Sequence, residues 1–386
     1  MKLLSLFTFE STFALLATFL QAEAFRTCGQ RHDNFLDPPA VQRPRFRYWL
    51  PDGSVEPDVV KSDIRAAGDI GAGGVEFLPF YNYGGGLGPP PAGVNWSAYG
   101  FGTPPHLRLL TAALEAHNES GLAMDFSLGP NQGQGVPAEP DTEGLQWDLF
   151  AQTLSITAGG RLTGTIPVWG TGELVAAVSS LVISRANVSY NLSGVQGPTT
   201  VRYQDLVLDS ESLEDITSSV SDRGELSAES SDHAASSGRQ LFFCYQKLSG
   251  DKNLHFDSNR TESIWDRGSY TVDHFSSKGA DTICDFWERY MFVDGVQDLL
   301  ARVGNYGWED SLEIRSTISW TPGLPDRFER MFGYDLRKYL PLVMFGNNNI
   351  NLQNTEPGST RCVLNTPDGG QGYVNDYHAA LAEGYQ

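Results

Sequence analysis

A chain of 386 residues with 27 Lys and Arg against 47 Asp and Glu carries a formal net charge of -20 and has a pI near 4.6. It lacks the cation density that neutralises phosphates, and no basic patch compensates, which excludes nucleic acid and anionic lipid as default partners. Apolar residues at 40% against charged residues at 19% supply a sizeable core, and the length fits two domains or one large barrel with an insertion.

Lys2 precedes an apolar run peaking at Phe13 to Leu20 that is too short to span a bilayer, and Ala22-Glu23-Ala24 fits the small-x-small cleavage rule. Residues 1–24 are therefore expected to be a secretory signal. No later stretch reaches the roughly 18 continuous apolar residues of a membrane span, so a secreted, soluble protein is expected after cleavage. Asn-x-Ser/Thr sequons at Asn95, Asn118, Asn187, Asn191 and Asn259 are the candidate glycosylation acceptors. Cys28, Cys244, Cys284 and Cys362 are widely spaced and without zinc-site grouping, which points to disulfides; a buried free thiol is the open alternative for each.

Phe46 to Leu50 reads as a strand, Pro51-Asp52-Gly53 as a turn, and Glu56 to Gly68 as a helix opened by Pro57. A second strand, Val75 to Phe80, follows the Gly71-Ala72-Gly73-Gly74 punctuation and completes a β-α-β unit. After a long Gly/Pro/Tyr loop, Leu107 to Asn118 has helical apolar spacing, and Leu122 to Gly129 reads as a third strand. Alternation of this kind implies a parallel sheet with its working loops at the strand carboxyl ends. From Thr153 to Leu208 the pattern turns to Val, Thr, Ser, Leu and Ile with glycine-rich turns, an antiparallel β insertion. Ser218 to Gly238 reads as an exposed loop or a flexible hairpin. Alternation resumes with a strand at Tyr270 to Phe275, a long helix at Ala280 to Gly304, a strand at Trp308 to Ile314, a short helix at Asp326 to Phe332 ended by Gly333, and a helix from Tyr373 to the end.

The predicted fold is α/β, a partial (β/α)8 TIM-like barrel with an antiparallel β-rich insertion. Its expected divisions are the barrel's first part at 25–146, the insertion with its Ser/Asp/Glu-rich loop at 147–268, and the resumed barrel at 269–386. The strands fall short of the eight that closure requires, so the barrel is expected to be truncated.

Phosphate-loop, zincin and nucleophile-elbow motifs are absent, and what remains is carboxylates at strand ends among aromatic residues. Glycoside hydrolysis needs that set: one carboxylic acid protonates the leaving oxygen, another carboxylate activates water or attacks, and aromatic faces stack on the sugar. Glu313 is the first candidate for the acid, near Trp308 and Trp320, with Asp310 able to orient it; a structural capping role is the equal alternative. Glu76 and Asp125 either face the barrel mouth or pair with core arginines. Asp273-His274 is a polar pair in an apolar setting that demands partners, either a satisfied core pair or substrate contacts. Trp49 and Trp320 are candidate sugar platforms, with Trp49 read also as a core residue.

Tyr48-Trp49-Leu50-Pro51-Asp52-Gly53, Gly73-Gly74-Val75-Glu76, Val272-Asp273-His274-Phe275, and Asp310-Ser311-Leu312-Glu313 followed by Trp320-Thr321-Pro322 and Gly333-Tyr334-Asp335-Leu336 together resemble glycoside hydrolase family 106, the alpha-L-rhamnosidases. The resemblance runs from about residue 43 to the end of the chain. It implies a (β/α)8 catalytic barrel, calcium dependence without an organic cofactor, and inverting hydrolysis of a terminal alpha-L-rhamnosyl linkage with Glu313 as general acid. Inversion needs a second carboxylate roughly 6.5–9.5 Å away, and the resemblance implies that this base lies beyond Gln386. The alternative is a non-catalytic secreted carbohydrate-binding protein or a truncated pseudo-enzyme.

Overall fold

The computed structural model describes residues 38–50, 53–78, 100–130, 133–194, 197–230, 238–252, 269–310, 312, 314, 316–345 and 360–386. These fall into two compact units, one holding 38–78, 104–127 and 293–308, the other 100–103, 128–292 and 309–386.

The first unit is built on four parallel strands lying side by side in chain order: Arg45–Trp49, Gly74–Leu78, Ala123–Ser127 and Gly304–Trp308. Among the described residues this sheet is open. Its crossover helices are Pro57–Asp69, with proline in the first turn where no N–H is needed, and Pro104–Ser120. The two helices lie against each other, and Val60 and Ile64 of the first and Leu110, Ala113 and Leu114 of the second are buried. Lys61–Glu115 and Arg65–Glu119, each 2.5 Å apart, tie the two helices together at the surface. A Cβ on Gly74 would sit 2.2 Å from the Ala123 carbonyl oxygen, so only glycine lets those strands approach here.

Pairing of Arg47 with Glu76, Glu76 with Asp125, and Asp125 with Tyr306 puts these four residues in one layer across one face of the sheet. Trp49, Leu78, Ser127 and Trp308 form the next layer, at the carboxyl ends. Tyr48, on the opposite face, donates to Asp63 of the first helix at 2.8 Å, and burial with that carboxylate raises its phenol above the ordinary range.

Two expectations about the fourth strand need correction. The helix anticipated over Ala280 to Gly304 is instead Ser277–Phe286, a π-helical turn Trp287–Met291, and a separate helix Val296–Val303. Asp294 and Gly295 break it with φ of 49° and 82°. The strand anticipated at Trp308 to Ile314 is Gly304–Trp308, and its two glycines concealed it. The acidic residues from Glu309 on therefore follow the strand rather than belong to it.

In the second unit Trp147–Ile156, Arg239–Leu248, Glu173–Gly194 and Gly197–Leu208 are successive antiparallel neighbours. Ser319–Trp320 adds to one edge, and Thr360–Leu364 runs parallel along the other. Residues alternate between two apolar layers. Phe242, Cys244, Ala176 and Val178 face a core completed by Trp320, Phe328, Leu340 and Tyr377, while Leu241, Phe243, Tyr245 and Ala177 face a second core with Ile166 and Leu226. Burial on both faces explains the unbroken apolar run Leu241-Phe242-Phe243-Cys244-Tyr245. Emptying one such ring position, as in Phe243→Ala, costs about 3–5 kcal/mol.

Leu226 sits on the strand Glu225–Glu229, inside the stretch expected to be a loop or a flexible hairpin, and this strand pairs with the distant Arg161–Thr165. Its alternation of buried and exposed residues was masked by serine and glutamate. Among the described cysteines, Cys244, Cys284 and Cys362 are all free thiols, which corrects the expectation of disulfides for them. Cys244 and Cys362 pack as small apolar residues in the sheet, and burial pushes the Cys244 thiol up to about 12. Cys28 lies outside the described residues.

Candidate functional site

The strand expected over Tyr270 to Phe275 is only Ser269–Thr271, and the chain then turns so that two adjacent polar side chains diverge. Asp273 is 3% exposed. One of its oxygens accepts from the Phe275 N–H at 3.0 Å, and the other accepts from the hydroxyls of Ser276 at 2.8 Å and Thr321 at 2.7 Å. This carboxylate joins the start of the helix Ser277–Phe286 to the segment that enters the helix Leu324–Phe332. A buried carboxylate with three donors is satisfied without a cation.

His274 points elsewhere. Its Nδ1 lies 2.8 Å from the Val272 carbonyl oxygen, and its Nε2 lies 2.7 Å from Oε2 of Glu309. The Tyr385 hydroxyl, at the end of the helix Gln371–Tyr385, donates to Oε1 of Glu309 at 3.1 Å. Burial, followed by that carboxylate, raises the Tyr385 phenol. A ring nitrogen facing a carbonyl oxygen must carry hydrogen, so Nδ1 is the donor there, and Nε2 is hydrogen-bonded to the Glu309 carboxyl.

Beyond Glu309 and Asp310 the chain is caught again by Asp148. Asp148 Oδ1 accepts from the Thr317 N–H at 2.9 Å and the Ile318 N–H at 3.4 Å, and Oδ2 accepts the Thr317 hydroxyl at 2.9 Å. Burial raises this carboxyl above the ordinary aspartate range despite those donors. The acidic stretch is thus held at its entry by His274 and Tyr385 and at its exit by Asp148.

The sheet carboxylates of the first unit are committed. Asp125 receives Arg45 Nη1 at 2.5–2.6 Å, Asn305 Nδ2 at 2.8 Å and the Tyr306 N–H at 3.2 Å. Glu76 receives Trp49 Nε1 at 3.2 Å and lies 3.3 Å from Arg47 Nε, while the Arg47 guanidinium stands over the Trp49 ring at 5.2 Å. Trp49 itself is 39% exposed. Trp320, expected as a sugar platform, is 1% exposed: its ring belongs to the core and its Nε1 donates to Gln246 at 2.9 Å. Sequence order put apolar neighbours around it, and tertiary packing closed over both faces.

Asp310 is exposed, and Glu313 lies outside the described residues. Asn118 and Asn187 are exposed; Asn95 and Asn259, and the side chain of Asn191, lie outside the described residues. Glu309, Asp148 and Tyr385 were missed by sequence reasoning. Glu309 carried the one available signal, its place just beyond a strand, and the displaced strand prediction hid it. Among the described residues no group of three or more His, Cys, Asp or Glu converges to hold a metal ion, so the calcium implied by resemblance finds no ligand set there. Among the described residues no helix is long and apolar enough to cross a membrane.

No family model and no curated protein matches the chain. Among solved structures it is similar to a rhamnosidase from Novosphingobium sp. PP1Y, at 14% identity and a TM-score of 0.55 over 92% of this chain. The chain spans 44% of the length of that protein. The likeness is one of fold.

Proposed function

We propose that this chain is part of the catalytic region of a secreted glycoside hydrolase resembling the inverting alpha-L-rhamnosidases, with its four parallel strands contributing to a (β/α)8 barrel. One observation carries the reading. The chain leaves the carboxyl end of the fourth parallel strand at Trp308 and runs directly into Glu309 and Asp310, in a stretch anchored at both ends. Parallel α/β folds present their chemistry at such ends. The likeness to a rhamnosidase fold supports the same reading, and the Asp310-Ser311-Leu312-Glu313 resemblance supports the assignment of roles.

In this reading Glu313 protonates the glycosidic oxygen as the bond to the anomeric carbon breaks, and Asp310 orients it. A second carboxylate, on the opposite side of the sugar, takes a proton from the attacking water. Glu309, fixed by His274 and Tyr385, anchors the start of the stretch that carries Asp310 and Glu313. Calcium dependence is carried by resemblance alone, and no step here is routed through the ion.

Two alpha-L-rhamnosides that differ in leaving group test the acid assignment in a version of the chain extended to the full barrel, which supplies the second carboxylate. A p-nitrophenolate departs with little help, whereas a sugar alkoxide needs the proton. Glu313→Gln is expected to slow release of rhamnose from a rhamnosyl disaccharide by ~10²–10⁴-fold and to slow the p-nitrophenyl substrate far less. Equal rates for variant and parent on the disaccharide would remove Glu313 from the mechanism. No turnover of either substrate by that extended parent would favour a non-catalytic carbohydrate-binding role.

A further inference from the structure

A cavity of about 650 Å³ lies within the β-rich unit, where the strands carrying Trp147, Glu173 and Gln246 meet the starts of the helices Ser277–Phe286 and Leu324–Phe332. Its walls include neither His274, Glu309 nor Asp310. The volume falls in the usual range for small-molecule sites, roughly 300–1,000 Å³, and accommodates one or two sugar rings.

Charge pairing determines what it can hold. Of the cations in the wall, Lys278 is paired with Glu143, Arg327 with Glu383 at 3.0 Å and with the Phe275 carbonyl at 2.8 Å, and Arg337 with Asp335 at 3.3 Å. Asp273 is occupied by its three donors. Glu173 is different: it is exposed, and its partner is the neutral Gln246 side chain, whose Nε2 donates to Oε2 at 2.9 Å. Gln246 is itself fixed by Trp320 Nε1. The cavity therefore presents a pre-oriented carboxylate beside the half-buried Trp147 indole, with its cations already engaged. An anionic ligand would meet Glu173 uncompensated, whereas hydroxyl groups can donate to it while an apolar ring face lies on the indole.

We propose that this cavity is a binding site for a neutral sugar of one or two rings, separate from the stretch assigned to hydrolysis. It stands on the cavity's own chemistry and not on the catalytic reading.

The test uses the full chain and tryptophan fluorescence with saturation-transfer NMR. The probes are methyl alpha-L-rhamnopyranoside, methyl beta-D-glucopyranoside and its charged counterpart methyl beta-D-glucuronide. At least one neutral glycoside is expected to bind with a Kd of about 1 mM, a free energy near -4 kcal/mol, and the glucuronide more weakly than the glucoside. Glu173→Ala alters an exposed position and is expected to weaken binding about tenfold while keeping the parent melting temperature; Trp147→Ala is expected to do the same or more. Binding unchanged in Glu173→Ala, preference for the glucuronide, or no binding by any probe would overturn the site. Absence of hydrolysis in the catalytic test changes none of these outcomes, so the two proposals fail separately.

Discussion

Oε2 of Glu309 lies 2.7 Å from Nε2 of His274, one residue after the fourth parallel strand ends. Nδ1 is committed to the Val272 carbonyl, and the Tyr385 hydroxyl fixes the other carboxylate oxygen. Removing the carboxyl releases the entry of the acidic stretch while leaving its sequence intact. In a version extended to the full barrel, Glu309→Ala is expected to lower kcat on a rhamnoside about 10²-fold with little change in KM, the loss typical of a displaced catalytic group. Glu309→Gln keeps a hydrogen-bonding partner for His274 and is expected to recover most of that rate. Steady-state kinetics of the two variants checks this, and equal losses would show that charge rather than position matters.

Asp273 carries a stability prediction independent of catalysis. Replacing it with alanine strips partners from the Phe275 N–H and from the hydroxyls of Ser276 and Thr321 in a buried site. The expected cost is ~2–3 kcal/mol, with Asp273→Asn losing about half as much because its amide oxygen still accepts. Chemical denaturation of both variants tests the ranking.

His106 makes stability depend on pH in a defined window. Burial pushes its imidazole from the ordinary 6.5 down to about 3. Between those values the unfolded chain takes up a proton that the folded chain refuses. Stability is therefore fully present above about pH 6.5 and falls with pH until about pH 3, by up to ~1.4 kcal/mol per unit. His106→Gln is expected to flatten the dependence of the melting temperature on pH across this range.

Thiol labelling separates the described cysteines. Cys284 is exposed and is expected to react with iodoacetamide in the native protein, whereas Cys244 and Cys362 are buried with raised thiol pKa values and react only after unfolding. Peptide mass mapping before and after denaturant reads the difference.

The helices were legible where local signals agreed. Pro57 opened one, and Gly333, at φ 78°, closed another at the residue expected. Gly74–Leu78 and Ala123–Ser127 were visible for the same reason, as apolar runs between turn residues. Gly304–Trp308 was not, because strand pairing overrode its glycines. At the site, Asp273 and His274 could be singled out as polar residues that needed partners. Their partners Thr321, Glu309 and Tyr385 come from distant positions in the chain, which no local pattern encodes. Arg45 and Asp125 illustrate the same point, since only the register of the sheet brings them together.

The pairing of Ala123–Ser127 with Gly304–Trp308 has a kinetic consequence. During synthesis the third strand emerges long before its neighbour, so its backbone edge stays unsatisfied while the intervening β-rich segment is made. Assembly of the parallel sheet is therefore expected to be slow, because a contact of high sequence separation must close before that edge is paired.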